Sequence, residues 1–201
     1  MRMAVTNFKE LSADEYYTYQ DYLTWSFPER VELFYGKVSC MSPAPNTRHQ
    51  MIARRLVGSM YYYFEGGSCS LFFAPFDVRL PISLTPNKVD TVVQPDICVI
   101  CDKSKIDAQG CQGAPDLVIE ILSPGNSQKE MGEKFSLYES SGVREYWLVQ
   151  PESQSVLVYT LNESGKYTGR QPMTAPSKLT SVIFPDLELD LQTILADADS
   201  N

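Results

Sequence analysis

VVQPDICVI (residues 92–100) and GAPDLVIEILSP (113–124), followed by KFSLYESSGVREYWLV (134–149), decide how this chain is read. Two apolar, strand-like runs each carry a carboxylate, Asp96 at the opening of the first and Glu120 inside the second. A lysine, Lys134, follows on a helical segment. Strand side chains alternate faces, so Val118, Glu120 and Leu122 share one face and Leu117, Ile119 and Ile121 the other. An ionised glutamate on a half-buried face is costly unless a partner or a metal compensates it. A divalent cation shared with Asp96 is one compensation this stretch offers, because Mg2+ takes one or two protein carboxylates and keeps several waters. An ion held in that way activates water and neutralises charge on a phosphate. Lys134 would add positive charge beside a scissile phosphate or an attacking water. The plainer reading pairs Glu120 with an Arg or Lys as a structural ion pair and makes Asp96 the cap of a turn after Pro95.

Working outward, Ser123-Pro124 and a turn lead into a helix from about Lys129 to Ser140, with Phe135, Leu137 and Tyr138 facing inward and Gly142 as its C-cap. REYWLVQP is the next strand, and a strand–helix–strand crossover places both strands in one sheet with a right-handed connection. Upstream, Thr47 to about Phe64 shows helical spacing in Met51, Ile52, Leu56, Met60 and Tyr63. His49 lies in its first turn. With Arg54 and Arg55 it offers a phosphate contact, and by itself it reads as a surface or capping residue. RVELFYGKVSCMSP (30–43) is a hairpin turning at Gly36-Lys37. Its Glu32 is a third candidate carboxylate or, equally, a solvated strand residue. Residues 10–25 predict an opening helix capped by Ser12 with Glu15 as box partner. Residues 69–80 predict a strand broken at Pro75, PISLTPNKVDT a loop, KSKIDAQGCQG a polar spacer, and 154–171 a hairpin. FPDLELDLQTIL alternates Leu187, Leu189 and Leu191 with a solvated acidic face.

The chain has 201 residues, 43% hydrophobic and 21% charged, which suits one domain with a sizeable core. Its net charge of −8 argues against non-specific nucleic-acid binding by the whole surface, while leaving room for a local basic groove. Of the five cysteines, Cys98 and Cys101 form a CxxC on a strand end, where they point to opposite faces. With His49 the single histidine, a zinc site lacks convergent ligands. The odd cysteine count, with no apolar leader at the N-terminus, favours a cytoplasmic protein. No apolar run approaches the roughly 20 residues of a membrane span.

VELFYGKV, SPAPNTRH, VVQPDICVI, APDLVIEILSP and EKFSLYESSGVREYWLVQP together resemble the PD-(D/E)XK restriction-endonuclease-like superfamily and, within it, the Uma-type family of restriction endonucleases. The resemblance covers about residues 10–195. It implies an α/β (α+β) fold, a mixed sheet flanked by helices in an α-β-β-β-α-β core at about 47–150. An N-terminal helix and hairpin (10–42) and a C-terminal hairpin and tail (151–201) complete a single domain. It further implies a Mg2+ (or Mn2+) ion held by Asp96, Glu120 and the main-chain carbonyl of Ile121, with Glu32 recruited as an additional acid and His49 a further candidate. The superfamily's lysine stands two residues after the acid, where this chain has Leu122. In some members it has moved to the following helix, a pattern that Lys134 fits and Lys129 fits as the alternate. Helix residues four apart share a face, so Lys134 and Tyr138 could both look toward the sheet. The implied activity is endonucleolytic hydrolysis of DNA. The alternatives are an inactive binding or regulatory module of the same fold and a homodimeric scaffold joined through Tyr61, Tyr62, Tyr63 and Phe64.

Overall fold

The computed structural model describes residues 4–41, 45–83, 88–124 and 128–196, with the backbone alone for 128–130. In chain order the elements are α1 (Tyr19–Tyr22), β1 (Val31–Phe34), β2 (Lys37–Cys40), α2 (Thr47–Phe64), β3 (Ser70–Phe73), β4 (Val78–Arg79), β5 (Val92–Val93) and β6 (Ile97–Ile100). There follow β7 (Ile106–Asp107), β8 (Gly110–Gln112), β9 (Leu117–Ile121), α3 (Gln128–Ser141), β10 (Glu145–Gln150), β11 (Ser155–Leu161) and β12 (Tyr167–Gly169). The chain closes with β13 (Met173–Thr174), β14 (Lys178–Thr180), β15 (Glu188–Asp190) and α4 (Leu191–Ile194).

The main sheet runs β12-β11-β10-β9-β6-β3, with β13 beside β11. Strands β9 and β10 are parallel and joined through α3, while β6 runs antiparallel to β9. Every residue of β9 is buried, as expected of a strand covered on both faces. One face meets α2: Ile52, Leu56, Met60 and Phe64, four or so residues apart, pack against Ile97, Val99, Leu117, Ile119 and Trp147. The other face meets α3, whose Leu137 and Tyr138 pack with Cys98, Val118, Tyr146 and Leu148. The core order helix, strand, strand, strand, helix, strand therefore matches the expected one, and α2 begins and ends where the periodicity placed it.

A second sheet, β2-β1-β5-β4-β8-β7, was not foreseen. The run at 69–80 is not one strand. It leaves the main sheet after Phe73 and enters the second at Val78. The polar spacer folds as the β7–β8 hairpin. Gly110, at φ 127°, lies so close to this chain's own backbone that an added Cβ would meet the Asp77 carbonyl oxygen at 2.2 Å. The 31–40 hairpin turns one residue earlier than expected, at Tyr35 (φ 51°) and Gly36 (φ 80°), the paired positive φ of a type I′ turn.

The opening helix over 10–25 shrinks to α1. Tyr17 N donates to Gly36 O, in the β1–β2 turn, and Tyr19 N to Val89 O, ahead of β5, so backbone donors a helix would need are spent on segments that border the second sheet. The capping box sits at Thr18 and Asp21 instead. Cys69 and Cys101 are joined in a disulfide across β3 and β6, leaving Cys40, Cys98 and Cys111 as thiols. No described helix is long and apolar enough to cross a membrane.

Candidate metal and catalytic site

The site forms where the second sheet abuts the α3 face of the main one. Asp96 immediately precedes β6. The register pairs Ile97 with Ile119 and Cys98 with Val118, and one further step sets Asp96 opposite Glu120. Opposite residues of an antiparallel pair project to the same face. Asp96 Oδ2 accepts from the Ile121 amide at 2.8 Å and lies 3.1 Å from His49 Nε2. Because a carboxylate only accepts, Nε2 carries the proton of that contact. Both contacts fall on Oδ2, so Oδ1 remains an acceptor.

On α3, Lys134 and Tyr138 are one turn apart, and both donate to Glu120 Oε1, at 3.0 and 2.6 Å. Lys134 Nζ also lies 3.1 Å from Glu32 Oε1. Glu32 reaches the site from β1, is buried, and accepts the Gln94 amide at 2.8 Å. The ammonium thus bridges two buried carboxylates, Glu32 being 2% and Glu120 8% exposed. The ion-pair reading of Glu120 is therefore met by Lys134, and the solvated reading of Glu32 is wrong, because its strand faces the joint between sheets. The pocket has a cavity of 80 Å3, lined by His49, Asp96, Glu120, Ile121 and Lys134 among others, with Arg30 and Met41 also in its wall.

Of the sequence candidates, Asp96, Glu120, Lys134, Glu32 and His49 come together here. The Lys129 side chain lies outside the described residues. His49 is no surface residue: Asn46 caps the helix by accepting the His49 amide, and the ring is buried with Nδ1 meeting no partner among the described residues. Arg55 is turned away from the pocket, donating to the carbonyls of Ile194 and Ala196, and Arg54 is exposed. Sequence reading missed Gln94, which fastens Glu32 across 62 positions, and Arg30 at the pocket wall. Contacts so distant in the chain leave no local signal.

Electrostatics give the pocket its character. Burial pushes the Glu120 carboxyl up to about 7, with the charges of Asp96 and Glu32 acting the same way and Lys134 and Tyr138 acting against them. Burial disfavours the Lys134 charge, yet Glu120 and Glu32 outweigh it and hold the ammonium above the usual lysine range. Burial, then the same two carboxylates, keep the Tyr138 phenol protonated well beyond its ordinary value. Three carboxylates against the Lys134 ammonium, with Arg30 in the pocket wall, leave negative charge in excess, which a bound cation would offset.

Among the described residues no three His, Cys, Asp or Glu side chains close into a ready-made cation cage. Mg2+ does not ask for one, since one or two carboxylates with waters suffice. Asp96, Glu120 and the Ile121 carbonyl are a hard, all-oxygen donor set, so the residues present fit such an ion.

A mixed sheet between two helices, with acids on adjacent strands and a lysine on the next helix, is the arrangement that the resemblance to restriction endonucleases implies. The crystal structure of a protein from Anabaena variabilis, described as a "putative nuclease belonging to DUF820", superposes with a TM-score of 0.68 over 89% of this chain and 97% of its own, at 23% identity. Residues 19–192 match the model of the Uma2 family, "Putative restriction endonuclease", and the chain belongs to that family. "Uncharacterized protein slr1290" of Synechocystis sp. is 28% identical over 151 residues, 74% of this chain and 76% of that protein.

Proposed function

We propose that this protein is a Mg2+-dependent endonuclease that hydrolyses DNA phosphodiester bonds. The observation that carries the reading is the convergence of Asp96, Glu120 and Lys134 on one pocket, with the Lys134 ammonium held between Glu120 and, behind the pocket wall, Glu32. Membership of the Uma2 family supports the reaction class. A bound Mg2+ would polarise the phosphoryl group and lower the pKa of a bound water. Asp96 and Glu120 would hold the ion through the oxygens their present hydrogen bonds leave over, with the Ile121 carbonyl beside them. His49 and the Ile121 amide keep the Asp96 carboxylate from rotating. Lys134 stabilises charge developing on the phosphate, preorganised by two carboxylates and needing no reorganisation at the moment of reaction. Plasmid cleavage with Mg2+ or Mn2+ tests this: Asp96→Ala and Glu120→Ala should each abolish it. Cleavage that survives both rejects the mechanism.

A second reading, a binding module that keeps the fold without turnover, is favoured by one observation. Lys134 is already engaged by two carboxylates, and Leu122 stands at the superfamily's usual lysine position. Calorimetric titration separates the two, because such a module need not take up Mg2+ at millimolar concentration. The exposed rings of Tyr61, Tyr62 and Tyr63 support a homodimer, which sedimentation measures directly.

A further inference from the structure

We propose that an aromatic recess beside the carboxylate pocket receives an unstacked base of a nucleic-acid strand whose phosphate lies at Arg30. This makes single-stranded or locally opened DNA the preferred partner, and it rests on the endonuclease reading for the path of the strand between the two recesses. The recess has a volume of 320 Å3 and is lined by Tyr22, Trp25 and Phe27, with Arg30 and Gln94 in its wall. Arg30 and Gln94 also line the carboxylate pocket, so the two recesses share a wall. The rings are half-buried and already ordered. Trp25 and Phe27 stack at 5.7 Å and 28°, and Tyr22 lies 5.6 Å from Trp25.

Arg30 suits a phosphate. It is exposed, and its guanidinium donates to Gln94 Oε1 at 2.9 Å, a neutral acceptor, and among the described residues no carboxylate forms an ion pair with it. The Gln94 amide cannot flip, because Nε2 donates at 2.8 Å to the Asp77 carboxylate, which only accepts. Oε1 must therefore face Arg30, and it holds the guanidinium at the shared wall with its other N–H groups available to phosphate oxygens. The net charge of −8 denies the strand a broad cationic surface, and base stacking on aromatic rings is the contribution that does not need one. In an intact duplex the bases are stacked on each other and cannot enter such a recess.

Tryptophan fluorescence tests this on the full chain in EDTA, where no cleavage intervenes. The only tryptophans are Trp25 and Trp147, and Trp147 is fully buried in the core, so quenching reports the recess. A short oligothymidylate should quench and bind about tenfold more tightly than an abasic strand with the same phosphates or an oligodeoxyadenylate–oligothymidylate duplex. Phe27→Ala should bring oligothymidylate down to the abasic level, and Arg30→Ala should weaken both strands alike. Equal affinity for the abasic strand, or equal quenching by duplex, overturns the proposal, and neither comparison requires a variant to fold. An apolar peptide quenching where oligothymidylate does not would make the recess a peptide groove and overturn it as well. Quenching without Mg2+-dependent cleavage removes the nuclease reading alone. Cleavage without quenching removes the recess alone.

Discussion

Replacing Lys134 with methionine keeps the side-chain length and its apolar packing but deletes the ammonium between Glu32 and Glu120. The wild-type contacts are 3.1 Å to Glu32 and 3.0 Å to Glu120, with 10% of the lysine side chain exposed and 3% and 11% of its partners'. Two charge-assisted hydrogen bonds are lost and two carboxylates stay buried, against which Tyr138 and the Gln94 amide remain as donors. Removing one partner of a buried ion pair costs about 3–5 kcal/mol. With a urea dependence of about 2–3 kcal/mol per molar, the midpoint at pH 8 falls by about 1.5 M. The loss depends on pH in a defined direction. Burial holds the Glu120 carboxyl above its ordinary value of 4.5, up to about 7, so the folded state binds more protons than the unfolded one between those values. Stability contributed by this group is therefore present below about 4.5 and declines as pH rises toward 7. Without Lys134 the carboxyl moves further up, and at pH 5 it is protonated and one unpaired charge disappears. The penalty at pH 5 should be about half that at pH 8, read by circular dichroism in urea at both values. A loss under about 1 kcal/mol at pH 8 would refute the argument that this ammonium neutralises the pocket.

Glu145, fully buried at the start of β10, accepts from Trp147 Nε1, Ser181 Oγ and the amides of Val182 and Ile183. Glu145→Ala should cost about 3–4 kcal/mol in chemical denaturation and raise hydrogen exchange over 181–184. Gly110→Ala should cost about 2–3 kcal/mol, since the residue would need a strained backbone and its Cβ would strike the Asp77 carbonyl. A thiol titration without reductant should find one reactive cysteine in the native protein, Cys40, and three after denaturation. Burial pushes the Cys111 thiol up to about 11 and that of Cys98 higher, which keeps both inert at neutral pH.

What the chain disclosed of this architecture follows the length of its elements. Helix α2 spans five turns with Ile52, Leu56, Met60 and Phe64 in one stripe, and β9 is a continuous apolar run around Glu120. Patterns of that length outlast local noise. The second sheet is built from strands of two to four residues, and partners such as Leu33 and Val92 or Val78 and Cys111 lie far apart in the chain. Two residues carry no period. Within the candidate site, Asp96, Glu120, Lys134 and Tyr138 were legible because a strand alternation and a helix turn relate them. The burial of His49 against Asp96, and the role of Gln94, depend on how distant segments meet, so only the assembled molecule reveals them.

The side-by-side placement of β6 and β9 has a consequence for quality control. Were β6 to slip a single position along its neighbour, Cys98 and Ile100 would be driven against α2, and Asp96 would point into that same oily layer. A mispaired molecule would thus lose its core and its acidic pair in the same event. Assembly errors in this sheet should yield insoluble chains and leave no soluble but inactive fraction to accumulate.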